Sequence, residues 1–110
     1  MAEDAGGEWV TVAERSSLGE GQMVGATVGD RQILAYNVGG EIYATDAICT
    51  HAFAQLTDGI LDGDVIECPL HGACFSVKTG KVLGPPASQD LQTFPTRIVG
   101  DDVQVRIDVD

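Results

Sequence analysis

The chain is short of several residue types, and each shortage excludes something. It has only three cysteines, Cys49, Cys68 and Cys74. So small and odd a count argues against a disulfide-stapled scaffold. It points to a reducing compartment, the cytoplasm, with cysteine kept for metal or redox use. Basic residues are scarce: six Lys and Arg stand against 17 Asp and Glu, a net charge of −11. Nucleic acid and anionic membrane surfaces are therefore excluded as partners, because phosphate binding needs clustered cations. The natural complement is a basic docking surface on another protein, and the bland alternative is that the acidity only keeps a small protein soluble. No apolar run approaches the ~20 residues of a membrane span. The stretch from Met1 to Trp9 carries Glu3, Asp4 and Glu8 without an apolar segment, so no secretory signal is expected. Helical periodicity, internal repeats and low-complexity segments are also missing.

What remains is a strand-forming mixture. The 110 residues suit a single domain, 1–110. Val, Ile and Thr total 27, while Gly and Pro total 18. Short apolar runs punctuated by Gly and Asp predict an all-β, antiparallel fold. The runs are Trp9 to Ala13, Met23 to Val28, Gln32 to Val38, Ile42 to Thr45, Ile60-Leu61, Val65 to Cys68, Ala73 to Val77, Lys81 to Leu83, Leu91 to Val99 and Val103 to Val109. Expected turns are Gly29-Asp30, Gly39-Gly40, Asp62-Gly63, Thr79-Gly80 and Gly100 to Asp102, with Gly84-Pro85-Pro86 a stiff loop. In the last strand Val103, Val105, Ile107 and Val109 share one face and Gln104, Arg106, Asp108 and Asp110 the other, the pattern of a half-buried strand. Trp9 is read as core packing and Cys74 as a small buried hydrophobe.

Both histidines sit beside cysteines, as Cys49-Thr50-His51 and Cys68-Pro69-Leu70-His71. Sixteen residues separate His51 from Cys68. Each pair offers one thiolate and one imidazole. The intervening segment contains a predicted hairpin that would hold the pairs side by side. Two inorganic groups fit such a donor set. One is a tetrahedral zinc ion. The other is a [2Fe–2S] cluster in which two histidines replace two cysteines on one iron. Zinc fingers usually group Cys with Cys and His with His. The mixed pairs here instead supply two thiolates to one iron and two imidazoles to the other.

Cys49-Thr50-His51 with Cys68-Pro69-Leu70-His71-Gly72 resembles the Rieske iron–sulfur signature. The resemblance extends to Ile42 through Asp46, Gly59, Leu61, Gly63, Phe75, Thr79-Gly80 and Gly84-Pro85-Pro86, covering about residues 8–109. It is strongest to the ferredoxin components of bacterial aromatic-ring-hydroxylating dioxygenase systems of the naphthalene and biphenyl type. Two departures lie near the expected docking tip: Ala52-Phe53 follows the first ligand pair where many relatives have Gly, and Cys74 stands where many have another residue.

The resemblance implies a Rieske fold: antiparallel sheets in a sandwich or incomplete barrel, with a small cluster-binding subdomain of two loops at about 46–86. It implies one Rieske-type [2Fe–2S] cluster. Cys49 and Cys68 would bind the inner iron, and His51 and His71 the outer iron through Nδ1, leaving Nε2 as the electron exit. Pro69 would stiffen the second loop, and Gly84, Pro85 and Pro86 would form a lid. Phe53 and Leu70 are candidate docking contacts, and Asp58, Asp62, Asp64 and Glu67 a candidate acidic docking surface.

Quinol-oxidising Rieske proteins carry an extra cysteine in each loop, forming a disulfide; the matching positions here are Ala54 and Leu70. They also place Ser and Tyr hydroxyls near the cluster, where this chain has Ala73 and Phe75. Donors to cluster sulfur stabilise the reduced state. Their loss predicts a potential near the low end of the Rieske range, roughly −150 mV. With both histidines used by the cluster, none remains for a mononuclear iron oxygenase site. The expected role is thus a monomeric cytoplasmic electron carrier rather than an enzyme. It would pass electrons from an NAD(P)H-dependent flavoprotein ferredoxin reductase to the terminal oxygenase. The alternative is a Rieske small subunit of another redox enzyme, such as a nitrite reductase.

Overall fold

The computed structural model describes residues 7–48, 55–69, 72–84 and 89–108. Among these, the regular structure is strand, apart from two short 3₁₀ turns at Arg15–Ser17 and Leu56–Asp58. The strands are β1 (Gly7–Glu14), β2 (Met23–Val28), β3 (Arg31–Val38), β4 (Glu41–Asp46), β5 (Ile60–Asp62), β6 (Val65–Glu67), β7 (Cys74–Ser76), β8 (Val82–Gly84), β9 (Thr93–Phe94), β10 (Thr96–Val99) and β11 (Asp102–Asp108). They form three antiparallel sheets with orders β1-β11-β10, β2-β3-β4-β9 and β5-β6-β7-β8. The all-β expectation holds.

Two-residue turns set most of the register. Val28 pairs with Arg31 around Gly29-Asp30, and Val38 with Glu41 around Gly39-Gly40. Gly39 and Gly40 have φ of 63° and 94°, the left-handed region that such hairpin turns demand at both central positions. The β5–β6 turn falls one residue later than expected. Asp62 pairs with Val65, so Gly63-Asp64 makes the turn and Asp62 stays in the strand.

The middle sheet explains the longest apolar run. Ile33 through Asn37 of β3 are all buried. Ile33 and Ala35 join clusters with Val103, Val105 and Ile107 of β11. Leu34 and Tyr36 join a third cluster with Leu56, Ile66, Phe75, Val77 and Leu91. A strand covered on both faces has no solvent side, so alternation disappears from its sequence. In β11, Val103, Val105 and Ile107 are buried as expected. Val109 lies outside the described residues.

Three sequence expectations are corrected. Leu91 to Val99 is not one strand. Pro95 has no N–H to donate and separates β9, on the middle sheet, from β10, on the β1-β11-β10 sheet. Trp9 is not core. Val10 and Val12 take the inward positions of β1, and the Trp9 ring lies 4.3 Å beneath the Arg97 guanidinium on the outer side. Cys74 is only partly buried. Phe75 takes the core position of β7, so alternation turns its neighbour outward.

Candidate metal centre

Three connections are each pinched by backbone hydrogen bonds at their described ends, on and beside the β5-β6-β7-β8 sheet. The first leaves β4. The N–H of Leu56 donates to the carbonyl of Ala47 at 2.8 Å, and Ile48 bridges to Gln55. The second links β6 to β7. Glu67 pairs with Cys74, and the Cys68 N–H donates to the Ala73 carbonyl at 2.7 Å, extending the ladder by one step. The third follows β8. The Leu91 N–H donates to Gly80 at 2.7 Å, and the Asp90 carboxylate accepts from the Val82 N–H at 2.9 Å.

These bases converge. Ala47 and Leu56 from the first, Cys68 and Ala73 from the second, and Leu91 from the third share one buried cluster with Ile66, Phe75, Leu34 and Tyr36. Cys68 is 1% exposed at its upper end. Ala73 and Phe75, both fully buried, place methyl and phenyl groups there rather than hydroxyls.

Two contacts lock the bases together. A Cβ on Gly80 would collide with the Leu91 carbonyl, and Gly80 has φ of 78°, so only glycine fits. Tyr36, in the same buried cluster as Cys68, is braced to β4. The Thr45 hydroxyl donates to the Asp46 carbonyl at 2.8 Å, so the Tyr36 hydroxyl donates to Thr45 Oγ1, also at 2.8 Å. Burial holds the Tyr36 phenol far above its ordinary range, so the hydroxyl remains a donor. Asp46 closes β4 immediately before the first excursion. Its N–H donates to the Gln92 carbonyl at 2.9 Å. Burial raises the Asp46 carboxyl, against a smaller opposing effect of Arg31 at 4.0 Å.

Charge along this stretch of the sequence is of one sign. Between Arg31 and Lys78 the sequence has six acids, Glu41, Asp46, Asp58, Asp62, Asp64 and Glu67, and no Lys or Arg. Asp58, Asp62 and Glu67 are exposed and Asp64 is half-buried.

Of the four expected ligands the structure places Cys68. Cys49, His51 and His71 lie outside the described residues, as do Phe53, Ala54, Leu70, Pro85 and Pro86. The neighbouring residues Ile48, Cys68 and Gly72 are described, so both motif segments are bounded by the pinched bases above. The Asp90 latch escaped the sequence reading. Its signal was an Asp following a Pro-rich loop, a side chain suited to accept from a nearby backbone N–H. A donor set of two cysteines and two histidines, with one cysteine buried in a cluster that includes Ala73 and Phe75, fits a [2Fe–2S] cluster of mixed ligation.

Comparison with known proteins agrees. The family model for the Rieske [2Fe-2S] domain matches residues 8–95. The ferredoxin component of the naphthalene 1,2-dioxygenase system of Pseudomonas putida is 43% identical over 102 residues, covering 93% of this chain and 96% of the relative. The ferredoxin component of biphenyl 2,3-dioxygenase from Rhodococcus jostii (strain RHA1) is 42% identical, covering 88% and 91%. A ferredoxin solved in complex with the oxygenase of carbazole 1,9a-dioxygenase superposes with a TM-score of 0.84 at 39% identity, covering 88% of this chain and 91% of that one.

Proposed function

The chain belongs to the Rieske [2Fe–2S] family, and from that premise we propose that it is the ferredoxin component of an aromatic-ring dioxygenase system. It binds one Rieske-type [2Fe–2S] cluster, which when bound accepts and releases a single electron. In this reading Cys49 and Cys68 hold the inner iron and His51 and His71 the outer one, within a cluster-binding subdomain at about 46–86. The chain receives electrons from an NAD(P)H-dependent flavoprotein reductase and delivers them to a terminal oxygenase. It works as a cytoplasmic monomer. No described helix is long and apolar enough to cross a membrane.

The observation that carries this reading is end-to-end correspondence with ferredoxin components, covering 93% of this chain and 96% of the Pseudomonas putida relative. The chain's own residues perform three tasks. The converging loop bases keep the buried side of the metal centre dry and rigid. Ala73 and Phe75 withhold hydroxyl donors and so favour a low potential, suited to a relay from reduced flavin. Asp58, Asp62, Asp64 and Glu67 steer a basic partner surface toward the loops.

The test is reconstitution. The chain replaces the ferredoxin in a mixture of the Pseudomonas putida naphthalene 1,2-dioxygenase oxygenase and its reductase, with NADH and naphthalene. Naphthalene oxidation that requires the chain is expected, together with elution of the chain alone as a small species. A cluster-loaded chain that supports no oxidation overturns the proposal.

A further inference from the structure

Two side chains from the outer face of the β5-β6-β7-β8 sheet reach up to the second loop. Glu67 and Cys74 are directly paired across β6 and β7, and alternation turns both away from the core residues Ile66 and Phe75. The Cys74 Sγ donates to the Gly72 carbonyl at 3.4 Å. The Glu67 carboxylate lies near the same residue: a Cβ built on Gly72 would stand 3.5 Å from Glu67 Oε2. Gly72 has φ of 75° and follows His71, while Glu67 precedes Cys68. The carboxylate therefore lies near Gly72, the residue that follows the segment joining two of the expected ligands. No Lys or Arg lies between Arg31 and Lys78 in the sequence, and no ion pair to Glu67 occurs among the described residues.

We propose that Glu67 is a potential-setting residue, whose carboxylate opposes arrival of the electron at the metal centre and holds the midpoint low. The physical reason is Coulombic. Reduction adds one negative charge, and a negative charge fixed nearby makes that addition less favourable. Cys74 supports the arrangement from beneath. With its S–H directed to the Gly72 carbonyl, that thiol proton is used within the loop. The inference rests on the proposed ligation by Cys68 and His71. It concerns a property of the isolated chain and needs no partner.

The experiment is a redox titration of the purified, cluster-loaded chain, followed by electron paramagnetic resonance at low and high ionic strength. Glu67→Gln is expected to move the midpoint positive, and Glu67→Lys further in the same direction. Glu67→Asp keeps the charge and should stay close to the parent. The shift of Glu67→Gln should shrink as salt rises, because an exposed charge is screened; a packing defect would not respond in that way. Asp101→Asn, in the distant β10–β11 turn, is the control and should leave the midpoint in place. An unmoved midpoint in both Glu67→Gln and Glu67→Lys, with the signal retained, overturns the inference alone. So does a shift of Glu67→Asp equal to that of Glu67→Gln. A parent chain that binds iron but gives no Rieske-type signal overturns the ligation on which the inference depends.

Discussion

Gly59 packs its Cα against the carbonyl oxygen of Glu67, closer than any β-carbon could stand. Its φ of −88° is open to every residue, so proximity and not backbone conformation demands glycine. The contact joins the base of the first loop, through the 3₁₀ turn at Leu56–Asp58, to β6, the strand that leads into Cys68. Gly59→Ala must push those two segments apart. We expect a loss of roughly 1–3 kcal/mol, the usual cost of overpacking. Reduced cluster content on purification should accompany it. Chemical denaturation and iron per chain check this; a variant with parental stability and iron content would refute it.

Ala73 and Phe75, which share the Cys68 cluster and carry no hydroxyl, make a second test. Ala73→Ser adds one donor at a fully buried position. If the new hydroxyl reaches cluster sulfur, it stabilises the reduced state and raises the midpoint. A hydrogen bond worth about 1 kcal/mol corresponds to roughly 40 mV for one electron. The parent chain should titrate near the low end of the Rieske range, roughly −150 mV. A strongly positive parent midpoint would break the argument from the missing hydroxyls.

Asp62 is exposed on β5, next to the Gly63-Asp64 turn, and is one of the acids of the proposed docking surface. Asp62→Lys should weaken electron transfer with reductase or oxygenase at low salt, through a several-fold rise in KM. The deficit should fade as salt approaches ~0.15 M and above. The midpoint should move much less than in Glu67→Lys. Rates at low ionic strength equal to the parent's would remove Asp62 from the docking surface.

Asp46 gives a pH dependence with a defined sign. Its folded carboxyl is raised, chiefly by burial. The folded state thus holds the proton more tightly than the unfolded chain does. The resulting stability is fully present below the ordinary Asp range, near ~3.9, and is lost as pH rises through the raised folded value. Asp46→Asn should remove that decline, leaving the variant at least as stable as the parent at pH 7. Denaturation midpoints across pH 3–7 measure the difference. A variant whose decline with pH matches the parent's would overturn the assignment.

Much of the architecture was readable because it is local. Gly39-Gly40 makes a hairpin turn because both residues accept positive φ, and Met23–Val28 is a strand with the expected bounds. The split at Pro95 was also a local signal, a missing N–H in the middle of an apolar run, but the sequence reading passed over it. Trp9 was misplaced for another reason. Apolar character says that a ring will be covered, not by what, and here an Arg97 guanidinium covers it from a neighbouring strand.

The sequence by itself determined which chemistry to expect at the metal centre. Two Cys/His pairs at that spacing offer the donor set proposed above, and a donor set is a property of residue types and order. It also determined the strand-and-turn grammar, since backbone preferences act over a few residues. Tertiary structure alone decided that Gly59 must be glycine, that β3 is buried on both faces, that Cys74 faces outward and that the Glu67 carboxylate rests against Gly72. Each of these depends on which segment arrives on a given face. That choice is made by packing between strands distant in the chain, where one atom's approach excludes another.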